Sequence, residues 1–172
     1  ACQICADRLK QAAGWYRGDF LQGFFLDDSL TFAEWSIIRK EWLHRQALWV
    51  LEQLTLYHQR RCELRSAERY ARRQLELEPW REEAHLQLIE ILARRGETSA
   101  ALAQYQICRQ VLAEELGVEP GYDTERLHER VQLMRTSPAH NLPPQTAPFV
   151  GREQELARLD EMLSNPDIRL VT

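Results

Sequence analysis

Apolar residues recur along the chain at three- and four-residue steps, the period of an α-helix. The pattern is clearest from Leu77 to Pro120. There Ala84, Leu88, Ile91 and Leu92 share one face, and Ala101, Tyr105, Cys108 and Leu112 share another. This predicts two helices joined by the turn Arg94-Arg95-Gly96-Glu97. Gly96 is placed to end the first, because Gly enters the left-handed C-cap conformation at little cost. Thr98 or Ser99 is expected to cap the second by accepting from an orphan amide. The small residues of the second stripe let two helices approach closely. Such a pair cannot bury its whole apolar face alone, so further helical layers are expected.

The flanking pattern supplies them. Ala1–Ala13 predicts the end of an amphipathic helix, with Ile4 and Leu9 inward and Gly14 as its stop. Trp15–Phe25 is dense in aromatics and glycine and reads as a compact loop folded onto a helix; Arg17-Gly18-Asp19 belongs to it. Asp27, Asp28 and Ser29 offer N-caps. Thr31–Arg60 holds no Gly or Pro and predicts one long helix, with Leu43, Ala47, Val50 and Leu54 on one face. Trp35, Trp42 and Trp49 lie about a quarter-turn away. Two readings stand for this second stripe: it packs beneath the aromatic loop, or it is a docking surface for a partner.

Ser66–Leu77 predicts a helix with Ala67, Tyr70, Ala71 and Leu75 inward, and Tyr122–Arg135 another with Leu127, Val131 and Met134 inward. Tyr70 and Tyr105 hold equivalent places, as do Arg60-Arg61 and Arg94-Arg95, and both units end in Glu-Pro. The spacing of about 35 residues is that of a tetratricopeptide unit. The expected fold is therefore all-α, a tetratricopeptide-like helical repeat that winds as an α-α superhelix over residues 1–135. From Thr136 four prolines within a short stretch predict an extended linker, residues 136–148. Beyond it, Glu153–Leu163 reads as a helix and Ile168–Thr172 as the start of a strand.

Charge and chemistry narrow the function. No apolar run approaches the roughly 20 residues of a membrane span, and no signal segment opens the chain. A cytoplasmic chain is expected, and a start at Ala1 in mid-helix suggests a piece of something longer. The net charge of −4 argues against indiscriminate nucleic-acid binding. Arg61, Arg65, Arg69 and Arg73, spaced four apart, would make a ladder on one helical face. It is either a phosphate track or a solvated face paired with Glu63, Glu68 and Glu76. Cys2-x-x-Cys5 has metal-ligand spacing, but no second pair or nearby His follows, so these read as surface or packing thiols. His44 and His58 stand too far apart on one helix to share a metal, and His85 lacks a second His at helical spacing. Glu82-Glu83 and Glu114-Glu115 read as solvated or capping charges. No catalytic set is apparent, so no enzyme, metal or cofactor is expected in this stretch.

Several motifs together resemble a known family. Gly14-x-x-x-Gly18-Asp19-Phe20-Leu21, Glu34-Trp35, the run Ala71–His85, and Glu114-Glu115-Leu116-Gly117-Val118-Glu119-Pro120 are similar to the bacterial transcriptional activator domain of SARP-type antibiotic regulators. The resemblance covers roughly the first 135 residues and implies a tetratricopeptide-like fold with a role in transcription control. Asn141-Leu142-Pro143-Pro144-Gln145 with Phe149-Val150-Gly151-Arg152-Glu153 resembles the opening of a STAND-class P-loop ATPase domain, residues 149–172 here. That resemblance implies that Val150 and Arg152 touch ATP or ADP in a complete protein. No G-x-x-x-x-G-K-[ST] is present, so nucleotide binding by this stretch is not expected. Family members carry a winged-helix domain ahead of this region, so DNA is expected only through such a domain. The expected partners are another protein, neighbouring domains, or a second copy in a homodimer. The expected role is a non-catalytic module coupling a DNA-binding domain to an ATPase switch or partner. The alternative is a tetratricopeptide-like scaffold of a STAND signalling ATPase with no DNA role. A winged-helix segment upstream would separate the two.

Overall fold

Most apolar stripes of the sequence become the buried side of a helix. The computed structural model describes residues 2–24, 26 and 29–136, which fold as six helices with no strand among them. They are α1 (Gln3–Trp15), α2 (Leu30–Arg60), α3 (Leu64–Leu77), α4 (Glu82–Arg94), α5 (Thr98–Glu115) and α6 (Tyr122–Thr136). Each packs on the next, and α4 also touches both α2 and α6. That pattern, neighbour on neighbour and every second helix on every second, is the stacking of a tetratricopeptide-like superhelix. The expected linker beyond Thr136, the helix Glu153–Leu163, the strand Ile168–Thr172, Val150 and Arg152 lie outside the described residues. So do the caps Asp27 and Asp28.

The core sits where α3, α4, α5 and α6 meet. Ala67 and Ala71 of α3 face Leu88, Ile89, Ile91 and Leu92 of α4, with Ala101 and Tyr105 of α5 and Leu127 and Val131 of α6. The alanines bring backbones close, and the long side chains fill what remains. Tyr105 donates to the Glu125 carboxylate at 2.5 Å and lies flat on the His128 ring, 3.7 Å between centroids. Tyr70, its counterpart one repeat earlier, stacks on His58 instead. Two inward expectations fail. Ile4 and Met134 are exposed. Around Ile4, it is Ala6 that is fully buried on α1. On α6 the stripe ends at Val131, a turn before Met134.

The repeat is written most plainly in the turns. At the end of α4 the Gly96 N–H donates to Ala93 O and the Glu97 N–H to Leu92 O, with Gly96 at φ +79°. This is a Schellman closure. At the end of α2 the Cys62 N–H donates to Gln59 O and the Glu63 N–H to His58 O, with Cys62 at φ +57°. The same closure thus recurs about 34 residues later, the tetratricopeptide period, with Cys in one turn and Gly in the other. In both turns the last residue of the closure is also the N-cap of the next helix: Glu63 for α3 and Glu97 for α5. This corrects the expected cap at Thr98 or Ser99. With no spacer between helices, Thr98 is already the first helical residue, and Glu97 caps without a side-chain bond. Ser29, by contrast, caps α2 as expected, accepting from the Phe32 N–H at 3.3 Å. Gly14 does not stop α1, which runs to Trp15.

A left-handed backbone costs an L-residue about 1–2 kcal/mol. Gly96→Ala is therefore expected to lower unfolding stability by about 1 kcal/mol, and Cys62→Gly to raise it by up to about 1 kcal/mol. Urea denaturation followed by circular dichroism measures both; equal effects of the same sign would contradict the shared turn.

Candidate functional site

α2 is 31 residues long, whereas the helices after it run from 13 to 18. Its second half is sandwiched: Ala47, Leu48, Val50, Leu51, Leu54, Thr55, Tyr57, His58 and Gln59 are all buried. Its first half has no buried residue before Ala47. Along that half Ile37 is 66% and Ile38 70% exposed, and Leu30 is exposed as well. The tryptophans of the predicted stripe are half exposed: Trp35 49%, Trp42 45% and Trp49 52%. Trp35 and Trp42 lie against the aromatic loop without being covered by it.

The loop is held by polar pins. Asp19 accepts from Lys40 Nζ at 2.6 Å, and this carboxylate raises the Lys40 pKa. Tyr16 Oη meets His44 Nδ1 at 3.2 Å, and His44 Nε2 meets Glu78 Oε1 at 3.0 Å. Burial, then the Asp19 charge, raises the Tyr16 phenol. So fixed, the loop sets Phe20 edge-on to Trp35 at 5.7 Å, and Phe32 completes that cluster. Between α1, the loop and α2 lies an open cavity of about 440 Å³, walled by Trp15, Tyr16, Phe20, Trp42, Leu43 and Val50 among others. Arg39 places its guanidinium over the Trp42 ring, 4.9 Å from its centroid. Trp49 does not line this cavity. The structure thus brings Trp35 and Trp42 to one aromatic region and leaves Trp49 apart. Ile37 and Ile38 belong to neither sequence stripe; their signal was two apolar residues left over when both helix faces had been filled.

The arginine ladder is broken. Arg61 is the C-cap of α2, whereas Arg65, Arg69 and Arg73 stand on α3, because the turn at Cys62 reverses the chain between them. Arg61 pairs with Glu63 at 2.8 Å, Arg72 with Glu68 at 2.9 Å and Arg73 with Glu76 at 2.5 Å. Glu68 also takes Arg95 from α4. Arg69 lies over the Tyr70 ring. The three predicted glutamates are therefore engaged by arginines, and Arg61, Arg65, Arg69 and Arg73 do not stand on one helical face.

Behind this surface the run Gln74–His85 joins the repeats. Gln74, fully buried, donates from Nε2 to Thr55 Oγ1 at 3.0 Å and to Gln87 Oε1 at 3.1 Å, linking α2, α3 and α4. Arg81 bonds Glu52 at 3.1 Å, back on α2. Glu82 accepts from the Gly121 N–H at 2.7 Å and from Thr124 Oγ1 at 2.6 Å, so it caps α6 from α4. His85 meets Pro79 O through Nε2 at 2.8 Å and Gln104 Nε2 through Nδ1 at 2.7 Å. A carbonyl only accepts, so Nε2 carries the proton and Nδ1 accepts from the amide. Both ring nitrogens are spoken for with the ring neutral, and burial depresses the His85 pKa. No cluster of three or more metal-ligating side chains occurs among the described residues. No helix there is long and apolar enough to cross a membrane.

A helical-repeat stack with structural histidines, paired charges and one half-exposed aromatic region defines a class: an α-helical repeat module whose polar chemistry is spent on its own joints. The chain belongs to the bacterial transcriptional activator domain family, whose model matches residues 2–132. Comparison with curated proteins and with solved structures returned no match.

Because the folded chain resists protonation of His85, the unfolded chain binds that proton first. The stability carried by neutral His85 is present above the unfolded pKa and is lost as pH falls below about 6.5. Urea unfolding between about pH 7.5 and pH 5 is expected to show a steeper decline for the native chain than for His85→Gln, which starts less stable. Parallel curves would refute the assignment.

Proposed function

We propose that this domain is a non-catalytic regulatory module of a bacterial transcriptional activator, and that the first half of α2 with the aromatic loop is where it docks a partner protein or a neighbouring domain. Family membership supports the regulatory role. The observation that carries the docking surface is the overhang of α2. Leu30, Trp35, Ile37, Ile38 and Trp42 share a helix half with no buried residue, and all are exposed. Exposed apolar side chains gathered in one place mark interaction surfaces far more than scattered ones do. Tryptophan is among the residues that most often dominate binding energy.

In this reading the module relays between a DNA-binding domain and an ATPase switch, as in SARP-type regulators with a STAND-class domain. DNA is contacted through another domain, and ATP or ADP through a complete P-loop domain, where Val150 and Arg152 would take part. On α3, Arg72 and Arg73 are paired with glutamates and Arg69 lies over Tyr70, which favours a role in the fold over a phosphate track.

The test uses Trp42→Ala and an Ile37→Ser, Ile38→Ser pair in the natural protein context. Each is expected to lower transcriptional activation about tenfold or more, as loss of a binding hot spot would. Thermal unfolding should stay close to the native value, since these side chains are already half in water. Full activation by both variants would remove the docking role from α2.

A further inference from the structure

The first turn of α1 carries chemistry that the fold does not use. Cys2 is the N-cap, with extended backbone at φ −79° and ψ 159°, and its Sγ accepts from the Cys5 N–H at 3.3 Å. The Cys5 side chain lies on the same exposed edge, its Sγ 2.7 Å from Cys2 Sγ. Two thiols three residues apart meet in this way because the first stands outside the helix, in extended backbone, and the second stands one turn inside. The remaining cysteines differ in kind. Cys62 is exposed, with Arg94 as its side-chain neighbour, and Cys108 is fully buried in the core.

We propose that Cys2 and Cys5 form a reversible dithiol–disulfide site whose substrate is a low-molecular-weight disulfide. The Cys2 thiolate attacks one sulfur of that disulfide, forming a mixed disulfide and releasing one thiolate. Cys5 gives up its proton, which the released thiolate takes. The Cys5 thiolate then attacks Cys2 Sγ, closing the intramolecular bond and expelling the second thiolate, which is protonated from water. Two protein thiols are oxidised and one small disulfide is reduced to two thiols, and excess small thiol reverses each step.

The division of roles follows from position. Contact with the Cys5 side chain, then the Cys5 N–H, lowers the Cys2 pKa and favours its thiolate. A helix N-terminus stabilises negative charge in the same sense. Cys5 is held protonated by that same contact with Cys2, which suits a resolving thiol. Gln3, between the two, accepts from Tyr57 Oη at 2.6 Å, so the turn that closes is anchored to α2. Cys108 serves as an internal control, since burial pushes its pKa up to about 12.

The folded chain is incubated with glutathione disulfide, quenched with acid and read by intact mass and peptide mapping. The expected product is two hydrogens lighter, with Cys2 bonded to Cys5 in one peptide and Cys108 untouched. Cys5→Ser is expected to stop at a glutathione adduct on Cys2. In Cys2→Ser the adduct on Cys5 is expected to form about tenfold more slowly than that. Accumulation of glutathione on either thiol of the native chain without closure overturns the proposal. So does persistence of both as free thiols, whether or not Cys62 is modified. Equal rates in the two variants overturn the assignment of Cys2 as the attacking group.

Discussion

The stack depends on a turn with no residue to spare. Glu63 closes the Schellman turn of α2 through its N–H and caps α3; Glu97 does the same between α4 and α5. The two glutamates hold nearly the same backbone, φ −83°, ψ 60° and φ −85°, ψ 57°. A hairpin without a spacer has little freedom in crossing angle, so the helices must pack as the turn presents them. That geometry brings backbones near, and the alanines at the contact, Ala67, Ala71, Ala84 and Ala101, are wholly buried. A larger side chain at any of them would have to push apart helices whose turn cannot lengthen. The left-handed residue that each turn requires costs little at Gly96 and is a local strain at Cys62.

Hairpins so fixed still have to be joined to one another, and here polar groups do what an apolar face cannot. Hydrophobic contact is indifferent to direction, whereas a buried amide or imidazole costs free energy for each partner it lacks. Gln74 and His85 sit at the two joints around α4 and reach Thr55, Gln87, Pro79 and Gln104. Glu82 extends the same principle to α6 by supplying the acceptor that its first turn lacks. A register slip between hairpins would therefore leave several buried donors or acceptors without partners at once, each at a cost of about 1–3 kcal/mol. The apolar stripes make stacking favourable, and these side chains select one way of stacking.

This division explains what could be read from the residues alone. The stripes Ala84, Leu88, Ile91, Leu92 and Ala101, Tyr105, Cys108, Leu112 are all buried as their period requires, and the repeat length was legible from Tyr70 and Tyr105. The left-handed turn was legible at Gly96 but hidden at Cys62, where no glycine advertises it. That one concealed turn is why Arg61 looked continuous with Arg65, Arg69 and Arg73. The joints were half legible: Glu82 was read as a solvated or capping charge, but nothing local says that it caps a helix some forty positions later. Gln74 and His85 gave no signal, since a polar residue in a helix reads as surface until its distant partners are known. The half-exposed state of Trp35 and Trp42 was equally out of reach. It depends on how far an aromatic loop extends, which its composition does not specify.

The unequal length of α2 then decides where a partner can be received. A superhelix buries each helix over the length of its neighbours, and α3 offers α2 only 14 residues. The rest of α2 must find cover elsewhere or stay bare. Cover comes from α1 and from residues 16–24 of the loop, pinned through Lys40 and His44, and it reaches only one side. What remains is a helix half with isoleucines and tryptophans exposed, beside an aromatic cavity that the described residues leave open. Where α2 outruns its neighbour, Leu30, Trp35, Ile37, Ile38 and Trp42 are left exposed along a single helix half. Binding energy is therefore available at the N-terminal end of the stack, on a rigid helix, at little ordering cost.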